Sequence, residues 1–478
     1  VSSSLAAPPP APVRFGFRFV APLALGSVLN PINSTMISTA LVPIGRDLHA
    51  SASQTGWLIA GLYLASAVAQ PVMGDLADRV GARRVYLATL ALVAIAGLIG
   101  WWAPSLMVLI GVRILLGVGT SGAYPSAMRL FRTEAGRAGL PPPRRAMGVL
   151  SLAAIATMVV GPFLGGVLTG AFGWHAIFSV NLPLALLAMA LSVLWLPSEG
   201  EGEGEGERES EGEGEEGRRP ADASPRAGLD VAGIVLFTAF LLCLMLFLMQ
   251  LDQPRWWLLP LAALAGAALV AHSRRHRQPF IDMPMLAANP ALIVTYARMG
   301  LLSVVPYTIL YGIGQWLEAS AGLGAAAAGL IMLPLSGVSA AGALLGARTR
   351  SIRLAFLLAA GAGVAGCCCL LLVDHTTPPW LIAVALMVFG APQGLASTAT
   401  QAAIYLQAPA GAIGNAAGLQ RTAAYVGAIL AASLLARLFG HHPSDAGLHH
   451  LALAVGAISA VLLIATLFDR TLPRSIAG

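Results

Sequence analysis

Three arginines, Arg113, Arg298 and Arg421, stand inside long apolar runs, where a guanidinium is costly and is kept for a task or a counter-charge. Polar residues recur in these and neighbouring runs at helical spacing. Asn30, Asn33 and Ser34 share a face of the first run, and Tyr63, Ser66 and Gln70 of the second. Thr120, Ser121 and Tyr124 follow Arg113 on a third run, Tyr307, Tyr311 and Gln315 are spaced four apart on another, and Gln393, Thr400 and Gln401 lie on a further one. Such faces can bind a small molecule by hydrogen bonds, ring stacking and charge. A lone tyrosine or glutamine is more often an interhelix bond. The shared faces single out Asn30, Asn33, Arg113, Tyr124, Tyr307, Tyr311, Gln315, Gln393 and Arg421 as candidate substrate or coupling residues, with Arg298 and Arg421 also able to reach the cytoplasmic surface.

Covalent chemistry is absent from this inventory. The sequence holds no HExxH, no GxSxG, no paired acids within a span and no Walker loop, so an enzyme and an ATP-driven pump are both excluded. Cys243 and the run Cys367, Cys368 and Cys369 sit in apolar segments. Adjacent helical residues point in different directions, so the triplet is a poor metal site, and neither metal, cofactor nor disulfide is implied.

Outside the stretch 199–230 the acids are Asp47, Asp75, Asp78, Glu134, Asp252, Asp282, Glu318, Asp374, Asp445 and Asp469, all at loops or helix ends by this reading. Embedded arginines without an embedded acid favour neutral or anionic ligands over lipophilic cations.

The elements that must carry these residues follow from composition. Of 478 residues, 57% are hydrophobic and 10% charged, with mean hydropathy +0.77. A soluble domain carries about 25% charged residues, so this chain cannot clothe a water-exposed surface. At about 20 residues per crossing, its hydrophobic content supplies roughly thirteen or fourteen membrane helices. Apolar runs fall near 20–43, 54–74, 84–103, 105–127, 147–170 and 177–196, then 231–250 and 256–271, then 290–315, 324–347, 353–373, 379–402, 412–436 and 449–468. That is six, two and six.

Every one of the 28 basic residues is arginine. With the N-terminus inside, only Arg46, Arg255 and Arg437 fall in outside segments, an asymmetry that a miscounted helix would destroy. Both termini are expected to be cytoplasmic, and the basic charge to mark membrane topology rather than nucleic-acid binding. The alternating Glu–Gly tract within 199–217 has no apolar face and repels itself, which predicts a disordered cytoplasmic linker. The expected organisation is a tail (1–19), a six-helix bundle (20–196), the acidic linker (197–229), two added helices (230–271), a second six-helix bundle (272–470) and a short tail (471–478).

Between the second and third runs stands Gly74-Asp75-Leu76-Ala77-Asp78-Arg79-Val80-Gly81-Ala82-Arg83-Arg84. Gly74 lets helices approach, Gly81 permits a tight reversal, and Asp78 can pair with a cation or a helix N-terminus. The segment closely resembles the signature loop of the major facilitator superfamily, with Ala82 where a basic residue is usual. Gly161-Pro162-Phe163-Leu164-Gly165-Gly166 resembles that family's antiporter motif, and Phe178-Ser179-Val180-Asn181-Leu182-Pro183 is similar to the start of helix six in its drug-exporting branch. Gly414 to Gly418 is also similar to that branch, whereas the second-half copy of the loop, Gly346 to Arg350, is degenerate. Six, two and six helices match the fourteen-helix drug:proton antiporters.

The resemblance implies an all-helical fold of two six-helix bundles plus two helices, working by alternating access. It implies that Asp78, with Gly74, Arg79, Gly81 and Arg83, helps latch the halves, and that Arg113 corresponds to a helix-four arginine linked to proton coupling. Leu116 replaces the glutamine usual three residues on, and Asn33 stands where the branch commonly has an acid. The expected function is an inner-membrane, multi-pass, monomeric exporter of hydrophobic small molecules, with protons and lipid as partners. Uptake of an organic anion, and a sensor that has lost transport, are the alternatives. Transport by reconstituted vesicles with and without a pH gradient separates them.

Overall fold

The computed structural model describes residues 15–137, 144–197, 229–251, 253–276, 279–349, 351–407, 413–440 and 442–469. The Glu–Gly tract, both chain ends and Asp252 lie outside these, as does the side chain of Asp78. Among the described residues the regular structure is entirely helical.

The first apolar run is divided. It forms α1 (Phe17–Ser27), α2 (Leu29–Met36), a 3-10 turn (Ile37–Thr39) and α3 (Leu41–Asp47). The backbone nearly continues through the first break, Val28 N–H donating to Ala24 O at 3.1 Å and Ile32 N–H to Val28 O at 3.0 Å. Pro22 and Pro31 lack a donor. Thr35 Oγ1 donates back to Pro31 O at 2.9 Å and Ser38 Oγ to Thr35 O at 2.8 Å, contacts that bend a helix.

There follow α4 (Ala52–Val80), α5 (Ala82–Trp101), α6 (Leu106–Ser121), α7 (Ala123–Arg137), α8 (Arg144–Phe172), α9 (Ala176–Ser179) and α10 (Asn181–Trp195). Beyond the linker come α11 (Val231–Met249), α12 (Leu258–Arg275), α13 (Met283–Ala288), α14 (Pro290–Ala319), α15 (Ala325–Arg348), α16 (Ile352–Leu370), α17 (Pro379–Gln407), α18 (Ile413–Phe439) and α19 (Asp445–Phe468).

Twelve helices among the described residues are long and apolar enough to cross a membrane. The expected count was fourteen. Two runs account for the difference: the first is cut into short pieces, and α12 ends in His272, Arg274 and Arg275. Side chains such as Leu194, Leu372 and Phe468 stay exposed, which is unfavourable in water and neutral against lipid tails.

Helices α1–α10 pack among themselves, as do α14–α19; the two sets meet along α4 against α18 and α8 against α15. The α11–α12 hairpin rests on α4 and α18. Glycines make the seams close. A Cβ on Gly329 would stand 2.5 Å from Pro162 O, and one on Gly314 would stand 2.7 Å from Ser38 O. Ser53 N–H donates to Gly440 O at 3.2 Å, also across the halves. These contacts cluster at the arginine-poor end of the bundle. The cavities lie toward the arginine-rich end.

Candidate substrate cavity

Helices α4, α7, α11 and α18 enclose a cavity of 460 Å³ walled by Gln70, Gly74, Asp75, Tyr124, Met128, Arg129, Arg132, Phe237, Arg421 and Thr422, with Phe280, Asp282 and Met285 at its mouth. A second cavity of 300 Å³, lined mainly by α14, α15 and α17 with Met158 of α8, includes Tyr307, Ser336, Gln393 and Gln401.

A chain of side chains joins the two. The Arg421 guanidinium lies 4.6 Å from the centroid of the Tyr124 ring, a cation–π contact. One turn along α18 from Arg421, Tyr425 is buried. The Tyr425 ring stands 5.4 Å from that of Tyr63, and Tyr63 stands 5.1 Å from Tyr307. Tyr307 and Tyr311 stack at 6.2 Å. Tyr311 donates to Ser34 O at 2.6 Å, which leaves Tyr63 as donor to the Tyr311 hydroxyl at 2.7 Å. Four tyrosines from three helices thus form one cluster beside Arg421. Aromatic pairs of this kind add about 0.5–1.5 kcal/mol each.

The charge on this wall is uneven. Asp75 is paired with Arg79 at 2.7 Å, and Asp282 caps α13 by accepting from Met285 N–H at 2.9 Å. Among the described residues, no carboxylate is within ion-pair distance of Arg421.

Several expected wall residues face elsewhere. Arg113 is fully buried and lines neither cavity. Its Nε donates to Leu58 O at 2.8 Å and its Nη1 to Asn33 O at 2.8 Å, so it takes a carbonyl exposed by the irregular first helix and staples α2 to α4. Asn33 is turned away too. It forms a reciprocal amide pair with Asn181 of α10 at 2.5 and 2.9 Å. An acid at position 33 would face that amide, and Asn33 lines neither cavity. Asn30 donates to Thr120 Oγ1 at 2.9 Å, beside the cluster but outside both walls. Gln315 is buried, donating to Tyr311 O at 3.2 Å. Gln393 does line the second cavity, and donates to Met158 Sδ at 3.1 Å. Arg298 pairs with Asp469 at the arginine-rich end and lies over the Phe356 ring.

Two residues were missed. Tyr425 could have been found from its position four after Arg421. Glu318, read as a helix-end acid, is only 5% exposed, and its Oε1 is buried without a hydrogen-bond partner. It lies at the arginine-poor seam facing Arg46 of α3. The absence of a buried acid expected from the sequence is thereby overturned.

The two motifs occupy different places. Gly81 adopts φ 106° at the reversal between α4 and α5, a conformation strained for any residue with a Cβ. Arg83 donates to Val193 O at 3.3 Å. The Gly161–Gly166 strip packs against the broken first helix: a Cβ on Gly161 would stand 2.8 Å from Thr35 Cβ, and one on Gly165 would stand 2.8 Å from Met36 Cα. Gly166 abuts the Ala325 carbonyl of α15, across the halves. Replacing Gly166 by leucine is therefore expected to prevent this seam from closing and to abolish transport, with about 1–3 kcal/mol of overpacking cost. Cysteine crosslinking across the α8–α15 seam in the two proteins checks this; equal crosslinking yields would refute it.

The sequence profile described as Major Facilitator Superfamily matches residues 23–432. The chain is 33% identical to the Uncharacterized MFS-type transporter YwoD of Bacillus subtilis, over 88% of this chain and 90% of that one. It is 27% identical to the Multidrug efflux pump LfrA of Mycolicibacterium smegmatis, over 88% of this chain and 80% of the pump. The Tetracenomycin C resistance and export protein of Streptomyces glaucescens is 28% identical, over 67% of this chain and 56% of that protein. In fold, the crystal structure of a single-residue mutant of the nucleoside transporter NupG superimposes with TM-score 0.64 at 13% identity, covering 94% of this chain and 100% of that one. Profile, relatives and helical architecture agree, and the chain belongs to the major facilitator superfamily as a multi-pass membrane transporter rather than an enzyme.

Proposed function

We propose that this transporter exports small amphiphilic molecules, anionic or neutral in preference to cationic, across the inner membrane by proton-coupled alternating access. The observation that carries the selectivity is Arg421 on the cavity wall, stacked on Tyr124 with no carboxylate beside it. The drug-resistance and efflux proteins among its relatives support the outward direction. The broken first helix and α12 complete fourteen crossings, with the arginine-rich face and both termini cytoplasmic. The cavities then open toward the cytoplasm and the glycine seams close the outer side. The transporter works as a monomer, since each half supplies part of the wall.

The direct test is uptake by inside-out proteoliposomes of matched anionic, neutral and permanently cationic dyes, with and without a pH gradient. Gradient-driven accumulation of the anionic and neutral dyes is expected. Strong proton-driven transport of the permanent cation would overturn the charge assignment, and no transport of any dye would overturn the exporter reading.

The acidic linker is assigned no part in the cycle. Deleting Glu201–Glu216 is expected to leave expression and transport rates within about twofold, since a charged flexible segment adds little to bundle contacts. Loss of transport at normal expression would assign the tract a regulatory role.

A further inference from the structure

The hairpin α11–α12 brings together three side chains that the transport cycle does not use. Asp230 caps the start of α11, while His272 and His276 lie four apart at the end of α12, and one ligand atom from each falls within 4.8 Å of the others. Asp230 Oδ1 and His272 Nε2 are 2.6 Å apart. The two imidazoles stack at 5.2 Å, and the Nδ1 of His276 is buried with no hydrogen-bond partner. We propose that Asp230, His272 and His276 form a binding site for a divalent transition-metal ion, with zinc the best match.

The donor set decides the class of ion. Two imidazole nitrogens and one carboxylate oxygen suit zinc, cobalt or nickel, whereas magnesium and calcium require mostly oxygen. Around a tetrahedral zinc with bonds near 2.0–2.1 Å, neighbouring donors stand roughly 3.3 Å apart. The Asp230–His272 pair opens slightly to reach this, and His276 closes in. A bare histidine–carboxylate pair would satisfy His272 and leave the buried nitrogen of His276 without a function. The metal uses both.

The surroundings hold the carboxylate in place. Asp230 is 7% exposed, and it accepts from Gly233 N–H at 2.8 Å through Oδ1 and from Phe280 N–H at 2.8 Å through Oδ2. Such outer bonds orient a ligating carboxylate. A cavity of 370 Å³ bordered by Asp230, Asp75 and Asp282 offers a route in from the carboxylate side. Phe280 and Asp282 also border the large cavity. Metal at this site therefore pins the segment from Phe280 to Asp282 between the hairpin and the mouth of that cavity.

The test is titration of the purified, tag-free full-length protein in detergent with Co²⁺, read by the visible absorption of tetrahedral cobalt and followed by displacement with Zn²⁺. One equivalent of tetrahedral cobalt, displaced by zinc, is expected. His276→Ala, which breaks no hydrogen bond of its Nδ1, and Asp230→Asn should each weaken uptake by more than about tenfold. Deleting Glu201–Glu216 should leave the signal intact, which separates this site from cation binding by the acidic tract. Thermal melting of each variant shows that it is folded. No tetrahedral signal in the wild type, or an unchanged signal in folded His276→Ala and Asp230→Asn, would overturn the proposal.

Discussion

Arg421→Gln is expected to raise the KM for an anionic dye about 10- to 100-fold while changing that for a neutral dye of the same size by less than about threefold. The estimate follows from the roughly 1.5–3 kcal/mol carried by a hydrogen bond to a charged group. Arg421 is a cation on the cavity wall with no described carboxylate within ion-pair distance, and its guanidinium is held at 4.6 Å over Tyr124. Arg421→Lys keeps the charge and loses the planar stack, so it should recover only part of the affinity. Initial rates in proteoliposomes, taken across dye concentrations, separate KM from kcat. An equal loss for both dyes would mean that Arg421 supports Tyr425 and the tyrosine cluster rather than the ligand. Unchanged anionic transport would move the recognition wall to the cavity that contains Tyr307 and Gln393.

Glu318→Gln should remove the dependence of transport on the pH of the outer side, its rate changing less than about twofold over a range where that of the wild type changes at least about tenfold. Glu318 is 5% exposed at the closed seam, and Arg46 of α3 is the charged group that faces it. Its Oε1 receives no hydrogen bond there. Taking an ionised carboxylate from water into such a place costs several kcal/mol even opposite an arginine; the neutral acid costs far less. Opening of the seam would hydrate Glu318, and proton uptake from the outer side would then permit it to close. Acid on that side should speed closure in the wild type and have no effect in Glu318→Gln. The amide is the cheaper group to bury, so the variant should melt no lower than the wild type. Retained dependence on the outer pH in a folded Glu318→Gln protein would place the titrating group elsewhere.

Arg113 and Asn33 show how far the sequence could be carried. Both were legible as polar groups inside apolar helices, because a residue's place on a helix face depends only on 3.6-residue periodicity. What each one meets depends on rotation about the helix axis and on segments far away in the chain. Asn33 finds its partner 148 residues on, at Asn181, and Arg113 finds a carbonyl that only a broken first helix leaves accessible. The break in turn comes from back-bonding hydroxyls and prolines, whose effect on a long apolar run is not evident from hydropathy.

Local chemistry by itself determined the membrane helices and the unequal ends of the bundle. It also determined the reversal at Gly81, since length, apolarity, arginine placement and a glycine at positive φ act within one segment. Only the tertiary structure decided which polar groups see a cavity. It joined Tyr63, Tyr307 and Tyr425 into one cluster, buried Glu318 in a seam, and set Asp230 beside His272 across 42 residues of sequence. The physical reason is that a buried polar group must be satisfied or sealed by whatever packs against it, and that neighbour is chosen by the approach of whole helices.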